Sequence, residues 1–144
     1  MEFVIDTNVF LNVKNREEPF FVHSKDVLDS VDEGRNKALV STVVIAEICS
    51  GYYLTREMHG KEEFLLHVLS SQNYKVVDVS LRIADEAARL RSETGLKLPD
   101  AIIAATGTIE RARYIVTNDT DSFKKASKII RARTPKEFMS ETRR

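Results

Sequence analysis

The chain carries one cysteine, Cys49, among 144 residues. A single thiol excludes an internal disulfide, and its place in Ala46-Glu47-Ile48-Cys49 predicts a buried free thiol in a reducing compartment. Long hydrophobic runs are also missing. No segment approaches the ~18 consecutive apolar residues of a membrane span. Asp6 and Asn8 interrupt the first apolar run and no basic segment precedes it, so no signal peptide is expected. A cytoplasmic protein without a membrane anchor follows as the expectation. Net charge is absent too. The 22 Lys and Arg balance 22 Asp and Glu, so the field of the whole molecule does not by itself point to a nucleic-acid partner. There is no Gly-Lys-Ser/Thr and hence no Walker A loop, which argues against a nucleotide-driven enzyme. Internal repeats, linkers and low-complexity tracts are missing as well, and a chain with 42% hydrophobic residues can pack one ordinary core. A single domain over residues 1–144 is expected.

What is present starts at Phe3-Val4-Ile5-Asp6-Thr7-Asn8. An apolar run closed by a polar corner reads as a short strand buried on both faces, as in the middle of a parallel sheet. Three more apolar runs with strand character follow at Ala38–Val40, Lys75–Val79 and Tyr114–Val116. A fifth, edge strand is expected at Lys128–Ile130. Between them lie a helical turn at Val9–Val13 and an amphipathic helix at Phe20–Glu33 with Val22, Val27, Leu28 and Val31 on its apolar face, ended by Gly34. A helix capped by Ser41 or Thr42 runs to Gly51, and another from Leu54 to Ser71 has Leu54, Met58, Leu65, Leu66 and Leu69 at helical spacing. Ser80 opens a helix that Gly95 closes. Leu98-Pro99-Asp100 starts one that is apolar all round, with Pro99 suited to its first position. A short helical turn at Asp121–Lys125 and a terminal helix from Pro135 complete the pattern. Strands alternating with helices predict βαβ units, a parallel sheet and right-handed crossovers.

Four acids fall at the same edge of that sheet. Asp6 and Asp119 end strands, while Glu47 and Asp100 lie in the early turns of helices that run back from the strand ends. Each alone has a plain explanation as a turn, a cap or solvated helix surface. Together they form a cluster of like charges, which raises their pKa values unless a cation neutralises it. Oxygen ligands without Cys or His favour Mg²⁺ or Mn²⁺. Such an ion can activate water and stabilise charge on a phosphoryl oxygen. His23, His59 and His67 are scattered on helices without a third partner and are left out of the site. The segment from Arg111 onward is locally basic, which offers an anionic polymer a surface despite the neutral total.

Asp6-Thr7-Asn8, Glu47 in Ala-Glu-Ile, Leu98-Pro99-Asp100-Ala101-Ile102-Ile103-Ala104-Ala105 and Thr117-Asn118-Asp119-Thr120-Asp121 with Phe123 together resemble the PIN-domain family, including VapC-type toxins. The tail Arg133-Thr134-Pro135-Lys136-Glu137-Phe138 is similar to the family's as well. The resemblance implies an α/β fold, a three-layer α/β/α sandwich with a five-stranded parallel sheet. It also implies a Mg²⁺- or Mn²⁺-dependent endoribonuclease holding one or two ions. By position Asp6, Glu47 and Asp100 match the first three acids of the family's site. The fourth is placed on Asp119, with Asp121 as substitute or neighbour. Thr7, Asn8, Thr117 and Asn118 match polar residues that orient the site. Asp6, Asp100 and Asp119 are the expected metal ligands, and Glu47 is expected to act through a bound water.

The toxin subgroup further implies an RNA substrate, a homodimer and a cognate antitoxin lying in a groove beside the acids. Phe20, Phe21, Tyr52, Tyr53 and Phe64 supply aromatic surface for core or interface. The alternatives are a stand-alone RNA-processing nuclease and a module that binds RNA or a partner without cutting. A haloacid-dehalogenase phosphatase would need an acid where Asn8 stands, and a receiver domain an acidic pair where Val4 and Ile5 stand.

Overall fold

The first apolar run forms β1 (Glu2–Ile5), the middle strand of a five-stranded sheet in the computed structural model, which describes residues 2–143. It is followed by α1 (Thr7–Lys14), α2 (Phe21–Asp32), β2 (Lys37–Ser41), α3 (Thr42–Leu54) and α4 (Met58–Ser70). Next come β3 (Tyr74–Val77), α5 (Leu81–Thr94), α6 (Leu98–Ile109) and β4 (Tyr114–Val116). A 3₁₀ helix (Thr120–Ala126), β5 (Arg131–Arg133) and α7 (Pro135–Thr142) close the chain. The strand order is β3-β2-β1-β4-β5 with every neighbouring pair parallel.

Successive side chains of a strand point to opposite faces, so a central strand must be apolar throughout if both faces are covered. Phe3, Val4 and Ile5 are fully buried. Phe3 packs on Phe138 of α7, ring centroids 4.5 Å apart, and α7 in turn packs on α2 and α2 on α1. On the other face α6 lies against β1, β2 and β4, and α5 packs on α6. The result is the expected three-layer α/β/α sandwich.

Gly107 of α6 marks how closely helix and sheet approach. A Cβ there would stand 2.5 Å from Ile130 Cδ1 and 3.0 Å from Val4 Cγ2. Alanine is the better helix former by about 1 kcal/mol. The contact with fully buried Val4 should outweigh that gain, so Gly107→Ala is expected to destabilise by about 1–2 kcal/mol in urea unfolding.

Local chemistry sets most element ends. Ser41 Oγ accepts the Val43 amide at 3.2 Å and Ser80 Oγ the Ile83 amide at 3.1 Å. Gly95 ends α5 in the left-handed conformation, φ 75°. Thr134 and Glu137 form a reciprocal capping box that opens α7. Pro99 is the second residue of α6 rather than the first, where its missing amide is still harmless.

Several expectations need correction. The fifth strand is Arg131–Arg133, not Lys128–Ile130. The amides of Ile129 and Ile130 both turn back to the Ala126 carbonyl, and Ile130 is a buried plug against α6. The segment after β1 is a full helix of eight residues, not a turn. Gly51 does not end α3, which runs to Leu54. The break comes at Arg56, whose φ is 59°, so α4 starts at Met58. Val22, Leu54, Leu66 and Leu69 face solvent, while Ser24, Ser30, Tyr52 and Val68 are buried and Phe64 packs on Phe10 and Tyr52. Cys49 is half-buried rather than fully enclosed. Among the described residues no helix is long and apolar enough to cross a membrane.

Candidate active site

From β1 the chain winds outward to β2 and β3, and later returns to the other side of β1 through β4 and β5. At such a reversal the loops leaving the two strands diverge and open a crevice at their C-terminal ends. Asp6 leaves β1 there, and Thr117-Asn118-Asp119 leaves β4 beside it.

Asp6 is the anchor. It is the N-cap of α1 and is only 8% exposed. Its Oδ1 accepts the Thr7 amide at 2.7 Å, and its Oδ2 accepts the Thr117 hydroxyl at 2.8 Å and the Asn8 amide group at 3.3 Å. Thr117 Oγ1 also receives Asn8 Nδ2 at 3.1 Å and the Asp119 backbone amide at 3.0 Å. Asn8 Oδ1 takes the Asn118 amide at 3.1 Å. Thr7, Asn8, Thr117 and Asn118 thus tie the two strand ends together around one carboxylate. Thr117→Val keeps the shape but leaves these buried partners short of one hydroxyl. A loss of about 1–3 kcal/mol in chemical denaturation is expected.

The remaining acids differ in how firmly they are held. Glu47 is exposed, and its Oε1 accepts the Thr7 hydroxyl at 2.7 Å. Asp119 is also exposed and caps the 3₁₀ helix, accepting the Ser122 amide and hydroxyl. Asp100, in the first turn of α6, is half-buried.

The carboxylates repel one another across the crevice. Burial pushes the Asp100 carboxyl up to about 6, and the charges of Asp6, Asp119 and Glu47 push the same way against a smaller opposing effect of Lys97. Burial also raises Asp6, more than the hydrogen bonds from Thr117 and Thr7 lower it, with Glu47 and Asp119 adding to the rise. Asp121 stands apart. It pairs with Lys124 at 2.8 Å, which holds its carboxyl below the usual range, and it lines an adjoining depression. The histidines also stay outside: His59 pairs with Glu63 and His67 with Asp32 on the surface.

Two residues that the sequence pattern did not mark belong to the support. Asn118 Nδ2 donates to Asn12 Oδ1 and, at 3.0 Å, to Ser24 Oγ. Both partners are buried, Ser24 completely. A serine where the apolar face of α2 was expected is the signal that could have found it.

The donor set is all oxygen, with uncompensated negative charge in a half-buried crevice. Among the described residues no three His, Cys, Asp or Glu side chains stand ready to grip one ion together. Mg²⁺ keeps several waters and takes one or two carboxylates plus substrate oxygens, so a hydrated hard cation fits these residues.

A family model described as PIN domain matches residues 3–129. No curated protein matches the sequence. Among solved structures, a toxin-antitoxin complex from Klebsiella pneumoniae superposes with TM-score 0.70 at 24% identity, covering 92% of this chain and 97% of the other. FitAcB from Neisseria gonorrhoeae gives 0.68 at 21% identity, covering 94% and 98%. VapBC2 from Rickettsia felis, bound to a DNA fragment from its promoter, gives 0.66 at 19%, covering 93% and 98%. These likenesses are of fold, and the matched stretch takes in β1 and β4, the two strands that carry the crevice. On that match the chain belongs to the PIN domain family.

Proposed function

We propose that the protein is a Mg²⁺- or Mn²⁺-dependent endoribonuclease, the toxin of a toxin-antitoxin pair, working in the cytoplasm. The observation that supports this reading most is the convergence of Asp6, Glu47, Asp100 and Asp119 on one crevice, where burial and mutual repulsion raise Asp6 and Asp100. Carboxylates held this way favour a divalent cation over solvent.

Asp6 and Asp100 would hold the principal ion directly, Asp119 would complete its shell or hold a second ion, and Glu47 would act through a bound water. When bound, the cation supplies a water of lowered pKa and offsets the charge that builds on the phosphate during an in-line displacement. Asp6 contributes pre-orientation, because both of its oxygens are already fixed by protein donors. Among the described residues the Asp100 side chain joins no hydrogen bond, which leaves its carboxylate open to a ligand. Glu47, aligned by Thr7, accepts a proton or a hydrogen bond from the attacking water. The products are a phosphate-ended fragment and a hydroxyl-ended one.

The structural neighbours include complexes of toxin with antitoxin, which supports a cognate antitoxin as partner. A homodimer belongs to the same proposal, and exposed Leu54, Leu66 and Leu69 are available for such contacts.

The test is incubation of purified, partner-free protein with structured cellular RNA in Mn²⁺ or Mg²⁺, with EDTA and DNA of the same sequence as controls. Cutting of RNA that EDTA stops supports the reading. RNA binding without cutting, once metal binding is established by calorimetry, moves the assignment to a non-catalytic module.

A further inference from the structure

Next to the acids lies an open depression of about 230 Å³, lined by Gly95, Leu96, Lys97, Asp100, Asp121, Ser122 and Lys125. Asp100 belongs to both places, so the depression continues the crevice. It is smaller than the ~300 Å³ at which ligand pockets begin, and suits one group of a larger molecule rather than a whole ligand.

Its walls carry two uncommitted cations. Lys97 is the N-cap residue of α6, three positions before Asp100. Lys125 comes from the 3₁₀ helix, and its Nζ would lie 3.7 Å from a Cβ built on Gly95. Gly95 ends α5 through its positive φ, and the Lys125 ammonium lies beside it at ordinary contact distance, next to the loop that leads to Lys97. Lys124 is committed to Asp121. Among the described residues Lys97 and Lys125 join no ion pair. Asp121, also on the wall, is paired with Lys124 at the surface.

We infer that Lys97 and Lys125 form a clamp for the phosphate next to the one being cut, so that a single RNA strand passes from the acidic crevice into this depression. The inference rests on the nuclease reading and adds the direction in which the strand leaves the site. A strand held only at the acids would meet their negative charge. A neighbouring phosphate between two ammonium groups offsets that repulsion and sets the register of the scissile bond. Both lysines are positioning residues, not catalytic ones.

The test is steady-state cleavage of a labelled single-stranded RNA oligonucleotide in Mn²⁺ by wild type, Lys97→Gln, Lys125→Gln and the double variant. Lys125→Arg serves as conservative rescue, and Lys37→Gln, exposed at the N-terminal start of β2 and so at the strand ends opposite the crevice, as control. Expected are a KM rise of about fivefold in each single variant and about 20-fold in the double, with kcat within about twofold, and a salt slope shallower by about 0.7 per lysine. A neutral methylphosphonate at one linkage beside the cut should weaken wild type and leave the double variant unchanged. Unchanged KM and salt slope in a protein that cuts overturn the clamp and leave the nuclease standing. Binding of the same RNA is followed in parallel by fluorescence anisotropy, so a protein that never cuts still decides the matter. Weaker binding by the double variant supports the clamp, and equal binding overturns it.

Discussion

Asp100→Asn is expected to lower metal-dependent RNA cleavage by about 10²–10³-fold while the protein stays folded, the scale seen when a charge-stabilising group is lost from a preorganised site. The substitution is close to isosteric, and among the described residues the side chain makes no hydrogen bond that asparagine would break. What it removes is the charge that would bind the cation. Asp6→Asn should be as severe for activity but harder to interpret, because an amide group would face the donors of Thr117 and Asn8. Circular dichroism must accompany it. Glu47→Gln keeps the Thr7 contact and should cost less, about 10–100-fold, if Glu47 acts through water. Single-turnover cleavage in Mn²⁺ checks all three. Full activity in Asp100→Asn would sink the assignment of the metal to this crevice.

The same substitution should reverse the order of stability between metal-free and metal-loaded protein. Asp100 has its folded carboxyl raised to about 6. The folded state thus prefers it neutral, and its contribution to stability is full below the unfolded value of about 3.9 and lost as pH rises through about 6. Asp6 is raised as well and acts in the same direction. In EDTA at pH 7.5, Asp100→Asn should therefore melt about 3 °C above wild type, corresponding to about 1 kcal/mol once the half-buried position is discounted for solvent screening. The gain should shrink below pH 6 and vanish near pH 4. With Mn²⁺ at about 100 times its dissociation constant, wild type gains about 2.7 kcal/mol and the variant little. Differential scanning fluorimetry across pH, with and without metal, reads both effects. A variant that gains as much from Mn²⁺ as wild type would place the ion elsewhere.

Neither result follows from any acid taken singly. Asp6, Glu47, Asp100 and Asp119 lie far apart in the chain, and their convergence was legible because each sits at a strand end or in the early part of a helix, where the βα alternation returns the chain to one edge. Asp119 and Asp121 follow the same strand, and the fold gives them different surroundings. Asp119 is coupled to Asp6 and Asp100, while Asp121 is turned into an ion pair with Lys124.

The amino-acid sequence by itself determined the central strand, because Phe3-Val4-Ile5 can be apolar on both sides only if both faces are covered. It determined the helix ends at Ser80 and Gly95, where backbone chemistry is local, and singled out four acids, with their hydroxyl and amide neighbours, as candidates for the strand-end edge. The fifth strand lay beyond it. Ile129 and Ile130 have the apolar character of a strand, and only the space beside Gly107 turns Ile130 into a plug and moves the ladder to Arg131–Arg133. The exposed leucines of α4 and the buried serines of α2 were decided in the same way, by which neighbour each helix meets. Asn12 and Ser24 beneath Asn118, and Lys125 resting on Gly95, are likewise tertiary facts. Periodicity and caps are short-range properties that a few residues suffice to express. Side-chain contacts between distant segments depend on how helices and strands pack, and that packing is set by the whole core at once.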